Sequence, residues 1–101
     1  MVKDGKLFVG VARLEIHIPE ARSLKAKRSV TRRLVERVRS RHQVLAVEAD
    51  HQDLYQRSGL AFCAMSTDPV DVEARLQRVR NTIDEIWDGP ILGWEIGVHQ
   101  L

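Results

Sequence analysis

The sequence has few of the residues that mark a disulfide-bonded or a membrane-spanning protein. Its 101 residues include one cysteine, Cys63, which excludes a disulfide within the chain and suits a reducing compartment. An apolar segment at residues 7–14 is interrupted by Arg13 and is too short to cross a bilayer. We therefore expect a cytoplasmic protein with no targeting segment and no membrane span.

Motifs for catalysis are also missing. The sequence has no glycine-rich phosphate loop and no nucleophile elbow. Aromatic residues make up 5% of the chain and mostly fall at expected core positions, so the base-stacking platform of an RNA-recognition sheet is missing too. Cys63 has no sequence neighbour that would activate it as a thiolate. We predict no catalytic residues and no cofactor, and expect a protein that binds rather than catalyses.

The overall composition is typical of one folded domain. Hydrophobic residues make up 44% of the chain and charged residues 30%, a balance found in globular rather than disordered proteins. A length of 101 residues suits a single domain that spans residues 1–101.

Charge is distributed unevenly along the chain, although the net charge is only +2. Residues 22–41 contain nine basic residues and one acidic residue, a net charge of +8. The other 81 residues contain seven basic and thirteen acidic residues, a net charge of −6. A strongly basic surface at residues 22–41 is therefore the most distinctive feature of the sequence.

This basic segment has the pattern of an amphipathic helix. Ser23 is suited to cap its N-terminus, because a serine hydroxyl can accept a hydrogen bond from the first turn. Val30, Leu34 and Val38 recur every four residues and form one stripe that faces a core. Lys27 falls within the apolar sector, where we expect its long side chain to carry the ammonium group outward to solvent.

Four strands and a second helix are predicted from the remaining pattern. Strands are predicted at residues 7–18, 44–50, 58–65 and 94–98. Apolar and polar residues alternate at 14–18, 60–64 and 94–98, the period of half-buried strands, and residues 44–50 are rich in valine and alanine. Asp68 and Pro69 are typical of a helix start, and the 4-3-4-3 spacing that follows gives a buried seam. Its residues are Val72, Leu76, Val79, Ile83 and Ile86.

The order of these elements predicts an α+β fold, the ferredoxin-like two-layer sandwich. The elements follow one another as strand, helix, strand, strand, helix, strand (βαββαβ). With right-handed crossovers, this order gives a four-stranded antiparallel sheet with two helices on one face. The other face of the sheet stays open, and its expected residues are more apolar than a solvated face requires. We therefore predict an interface with a partner or with a second copy of the chain, at Val9, Val11, Ala61 and Cys63.

Two stretches of sequence resemble a known family. Residues 11–18 followed by SLKAKRSV at 23–30, and VEADHQDLYQRSGLA at 47–61, are similar to the YlxP-like family of small bacterial proteins. The resemblance implies the same ferredoxin-like fold and a cytoplasmic protein of unassigned activity. It also implies genes placed beside transcription and ribosome-maturation factors, which suggests RNA or the ribosome as partner. The family supplies no catalytic residues.

The basic helix is the strongest candidate site. Cations along one helix face neutralise phosphates and release counterions, which is the main source of sequence-independent affinity for nucleic acid. Cations in the first turns also oppose the positive end of the helix dipole, and a bound anion would relieve this repulsion. The alternative is an ordinary solvated face. The predicted phosphate contacts are Lys25, Lys27, Arg28, Arg32, Arg33 and Arg37.

Two other clusters are weaker candidates. Glu48, Asp50, His51 and Asp53 carry metal-ligating groups, but aspartates near a turn more often bond their own backbone, and we predict no metal site. Glu15, His17, Glu95 and His99 lie on neighbouring strands, where ordinary cross-strand pairing is favoured over acid–base catalysis. Two functional hypotheses remain: an RNA- or ribosome-associated protein that uses the basic helix, or a homodimeric interaction module that uses the open sheet face.

Overall fold

The computed structural model describes residues 5–51 and 54–101, apart from the side chain of Asp50. The elements in chain order confirm the predicted βαββαβ arrangement. They are β1 (Phe8–His17), α1 (Leu24–Arg41), β2 (Leu45–Asp50), β3 (Arg57–Ser66), α2 (Pro69–Ile86) and β4 (Ile91–Gln100).

The four strands form one antiparallel sheet in the order β2-β3-β1-β4. Helix α1 packs on β2 and β3, and α2 packs on β1, β3 and β4, so both helices cover the same face. The ferredoxin-like α+β sandwich predicted from the sequence is therefore confirmed. Register shifts occur between Glu15 and Ile16 and between Glu48 and Asp50, where the strands bend near one end of the sheet.

The core lies between the helices and the covered face of the sheet. Alternate residues of β1 and β3 point into it, as the period of two requires. The apolar stripes predicted for both helices supply the other side. Its fully or almost fully buried members include Ala12, Leu14, Ile16, Leu34, Val38, Leu60, Phe62, Ala64, Val72, Leu76, Val79 and Ile83.

Both helices begin where the sequence predicts. The hydroxyl of Ser23 accepts a hydrogen bond from the backbone N–H of Ala26 at 3.1 Å, which satisfies one free donor of α1. Asp68 accepts one from the N–H of Val70 at 2.9 Å, and Pro69 occupies the first turn of α2. Within the described part of the chain, no helix is long and apolar enough to span a bilayer.

At the C-terminal end of α1, His42 contacts the second helix through its imidazole. Its Nε2 lies 2.7 Å from the hydroxyl of Thr82 on α2. Burial lowers the pKa of His42 below its ordinary value of 6.5, and the nearby Arg78 and Arg41 lower it further, against an opposing effect of Glu85. The folded chain therefore binds fewer protons at His42 than the unfolded chain does.

We expect the unfolding free energy to fall as the pH is lowered from 7.5 through 6.5 towards the folded-state pKa of His42. The cause is that protonation of His42 is easier in the unfolded chain. Urea denaturation at a series of pH values should show a shallower slope for His42→Gln than for the wild-type chain. Equal slopes in the two proteins would show that His42 is not the responsible group.

Candidate functional site

Five cations line the outer surface of α1, which we call the basic face. All five side chains are exposed, since they point away from the sheet that the opposite stripe contacts. Among the residues that the structure describes, no carboxylate lies within 4.0 Å of any of their nitrogens. Their charges are therefore left to solvent. The basic face consists of Lys25, Arg28, Arg32, Arg33 and Arg37.

The arginines of the last turn of α1 differ from those of the basic face. The Nη2 of Arg39 donates a hydrogen bond to the backbone carbonyl of Ala46 at 2.6 Å. The Nη1 of Arg41 lies 2.8 Å from a carboxylate oxygen of Glu85 on α2. Both side chains tie α1 to its neighbours, so we do not include them in the basic face.

Lys27 is buried, unlike the other predicted phosphate contacts. It is 0% exposed, and its ammonium group does not reach solvent as the sequence led us to expect. The Nζ donates hydrogen bonds to the backbone carbonyls of His51 at 2.5 Å and Arg57 at 3.2 Å. The apolar sector of α1 points at the sheet, and the loop after β2 and the first residue of β3 supply carbonyl oxygens within reach. The basic face therefore omits Lys27.

The ammonium group of Lys27 belongs to a polar cluster between α1 and the sheet. Its Nζ lies 3.5 Å from Oε2 of Glu48, whose side chain is 20% exposed. The same oxygen accepts a hydrogen bond from the hydroxyl of Ser58 at 2.9 Å and one from Thr31 at 3.4 Å. The hydroxyls of Thr31 and Ser58 lie 3.2 Å apart. The cluster joins α1, β2 and β3 and satisfies polar groups that burial would otherwise leave without partners.

Two of the four residues considered as metal ligands make other contacts in the structure. Glu48 bonds Lys27 and Ser58, and the Nε2 of His51 lies 3.0 Å from a carboxylate oxygen of Glu15. Asp53 and the side chain of Asp50 lie outside the described residues. No group of three or more metal-ligating side chains occurs among the residues that are described.

The face of the sheet away from the helices carries the four predicted interface residues. Val9 and Val11 on β1 lie beside Met65 and Cys63 on β3, and Arg13 lies beside Ala61. Three further apolar side chains belong to the same face and were missed from the sequence. Leu45 is 74% exposed, Met65 57% and Val47 52%. We call this the open face.

One end of the open face holds charged groups around a groove of about 370 Å³. Glu15 stands in a row between Gly59 on β3 and Gly93 on β4, so no side chain flanks it on either strand. Its carboxylate pairs with the guanidinium of Arg57 and with His51. Such pairing between neighbouring side chains of a sheet is ordinary, and it engages the carboxylate of Glu15 in ion pairs.

Aromatic side chains do not form a base-stacking platform on this sheet. The rings of Phe62 and Trp94 lie 6.5 Å apart on the side of the sheet that the helices cover. Arg80 of α2 stacks over the Trp94 ring at 5.6 Å from its centroid. In the four strands, setting aside the undescribed side chain of Asp50, no aromatic residue occupies an open-face position.

Comparison with known proteins agrees with the fold and gives a family. The designed protein Foldit4, solved as a structure, superposes with a TM-score of 0.50 at 14% identity, over 94% of this chain and 96% of its own. The uncharacterized protein YlxP of Bacillus subtilis (strain 168) is 40% identical over 77 residues, which cover 76% of this chain and 84% of YlxP. Residues 9–96 match the family described as "Protein of unknown function (DUF503)". This chain therefore belongs to the DUF503 family, as the YlxP-like resemblance of its sequence indicates.

Proposed function

We propose that this chain binds RNA through the basic face of α1 and is a cytoplasmic accessory protein associated with RNA or with the ribosome. The observation that supports the proposal is a helix face of five exposed cations, with no carboxylate of the described residues within 4.0 Å of them. Cations already paired within the fold would gain little from a phosphate. The five cations of the basic face give up only water and counterions when they bind a phosphate.

The length of the basic face suits several phosphates. From Lys25 to Arg37 the helix rises about 18 Å, at about 1.5 Å per residue. Because the cations recur along this length, several of them can contact phosphates at the same time. Simultaneous contacts release several counterions, and the affinity then depends steeply on salt.

The first turn of α1 favours an anion as well. It contains no acidic residue, although the N-terminal end of a helix carries partial positive charge. Lys25 and Arg28 add full positive charges near this end. A phosphate bound beside them would remove the repulsion, whereas solvent alone only screens it.

A nucleic acid fits this face better than a protein does. Protein interfaces draw most of their binding energy from apolar and aromatic side chains at their centre. Every residue of α1 is described, and its only exposed apolar residue is Ala26. A phosphate backbone needs cations and polar groups, and this surface offers five cations against the single carboxylate of Glu36. Contacts of this kind carry no sequence information, so we expect recognition of RNA shape and charge rather than of bases.

We expect replacement of Arg28, Arg32 and Arg33 by glutamine to weaken RNA binding at least about tenfold. The reason is the loss of three phosphate contacts, which also lowers the slope of log affinity against log salt by about two to three units. Fluorescence anisotropy with a labelled ribosomal RNA fragment, titrated at several salt concentrations, measures both quantities. The three residues are exposed, so the variant should keep the thermal stability of the wild type.

A matched control removes three exposed cations elsewhere. Replacing Lys6, Arg41 and Arg78 by glutamine changes the net charge equally but leaves the basic face intact, and the exposed pair of Arg41 with Glu85 contributes little to stability. We expect this control to keep most of the affinity and an almost unchanged salt slope. The proposal fails if both triple variants lose the same affinity, or if the wild-type chain binds no RNA at low salt. Binding of an acidic protein in place of RNA would likewise contradict it.

A further inference from the structure

The open face carries a continuous apolar patch that no described part of the chain covers. It extends over three neighbouring strands, from the edge strand β2 across β3 to β1. Its most exposed member, Leu45, is 74% accessible, and an exposed apolar surface of this kind usually marks an interface. The patch consists of Val9, Val11, Leu45, Val47, Ala61, Cys63 and Met65.

The described ionised side chains on the rest of the open face balance each other. Two cations, Arg13 and Arg57, share this face with two carboxylates, Glu15 and Glu95. The formal charges of these four groups sum to zero, in contrast to the basic face on the other side of the molecule. These four groups therefore bring no net charge into a contact between two copies. We propose that a second copy of this chain covers the open face and that the protein is a homodimer.

The strand register defines how two copies fit. We place a twofold axis parallel to the strands, midway between β1 and β3. This symmetry lays β1 of one copy over β3 of the other and β2 over β4, with the two sheets about 10 Å apart. Because Val11 pairs with Cys63 and Val9 with Met65 within one chain, Cys63 lies over the partner's Val11 and Met65 over the partner's Val9. The four apolar side chains then form the centre of the interface.

The same axis matches large side chains with glycines. Leu45, Cys63, Val11 and Gly97 are paired in one row across the four strands. Because the axis lays β2 over the partner's β4, Leu45 faces the partner's Gly97, which has no side chain. Glu15 similarly faces the partner's Gly59. At these two levels the open face is complementary to itself in shape, as a twofold contact requires.

The size of the open face is sufficient for a dimer. The four strands contain 36 residues. At about 3.3 Å along and about 4.8 Å between strands, they cover about 570 Å² of flat sheet. Two copies together would bury about 1,100 Å², which exceeds the roughly 1,000 Å² expected of a specific interface.

Sedimentation velocity over a wide range of protein concentrations tests the proposal. We expect the wild-type chain to sediment with the mass of two chains, and Leu45→Asp to raise the dissociation constant at least about tenfold because a charge is then buried at the contact. The matched control is Val70→Asp. Val70 on α2 is 72% exposed, almost as much as Leu45, but lies on the helical side, so its variant should dimerise like the wild type.

A swap of side chains tests the proposed axis. Gly97→Leu should weaken the dimer because the partner's Leu45 then has no space, and Leu45→Ala added to it should restore affinity. Within one chain these positions lie on opposite edge strands, so favourable coupling between them must arise between copies. A Cβ at Gly97 meets only the flexible end of His99 at 3.3 Å, so the variant should fold.

Three results would overturn the inference: a monomeric wild-type chain, equally tight dimers for Leu45→Asp and the wild type, or a double variant no tighter than Gly97→Leu. None of them would affect the proposed RNA contact, which uses the opposite side of the sheet. An RNA titration of Leu45→Asp keeps the two proposals separate, since its basic face is unchanged.

Discussion

Replacing Lys27 by methionine is expected to lower the free energy of unfolding by about 3–5 kcal/mol, because it breaks a buried ion pair from one side. Methionine keeps most of the volume of the lysine side chain but donates no hydrogen bond. The carbonyls of His51 and Arg57 then lose the Nζ donor, and Glu48 loses its cation. Both effects arise in a region where Lys27 is 0% exposed, so water cannot easily replace the lost contacts.

Urea denaturation of three variants isolates this effect. Lys25→Met changes the same residue type two positions earlier, on the exposed face, and should alter stability by less than about 0.5 kcal/mol. Lys27→Met combined with Glu48→Leu removes the carboxylate left without its cation and should recover part of the loss. If Lys27→Met is no less stable than Lys25→Met, the buried cluster does not hold α1 to the sheet.

Replacing Gly10 by valine is expected to destabilise the fold by about 3 kcal/mol, at the upper end of the usual cost of overpacking a core. Gly10 lies on β1 beneath α2, and even a Cβ there would lie 2.3 Å from Cγ1 of Val72 and 2.8 Å from Cδ1 of Leu76. Both of these side chains are fully buried, so they can shift only against the closely packed core around them. The strand can accept valine only if the helix is displaced.

Gly93→Val is the matched control for this prediction. Gly93 lies on β4, and the nearest atom to a Cβ there is the Cβ of Glu15 at 4.0 Å, an ordinary contact distance. We expect its unfolding free energy to change by less than about 1 kcal/mol, since valine also favours strands and restricts the unfolded chain. Similar losses in both variants would mean that strand propensity, rather than contact with α2, sets the cost at Gly10.

Most of the fold could be predicted because its signals are local. The four-residue spacing of Val30, Leu34 and Val38 decides which side of α1 is buried, and the caps at Ser23 and Asp68 decide where the helices begin. The order of elements then leaves few possible topologies. The basic face follows from the same periodicity, because cations opposite a buried stripe must be exposed.

The remainder could not be predicted because it depends on contacts between distant segments. Lys27 is buried because carbonyls 24 and 30 residues later lie beneath it, and no local pattern reports their position. One signal was available: Glu48 and Ser58 occupy core-facing positions of their strands, so a buried polar partner was required. Leu45 and Val47 were missed because the short strand β2 was interpreted from composition rather than from alternation.

Placing both helices on one side of a single sheet has a consequence for how strongly the protein holds its ligand. The cationic surface and the proposed contact between copies point in opposite directions, so occupation of one leaves the other accessible. Two joined chains would present their α1 helices outward on either side, with axes about 30 Å apart at about 10 Å per layer. Such a particle is bivalent, and its avidity for a folded polyanion able to reach both sides would exceed the affinity of either helix alone.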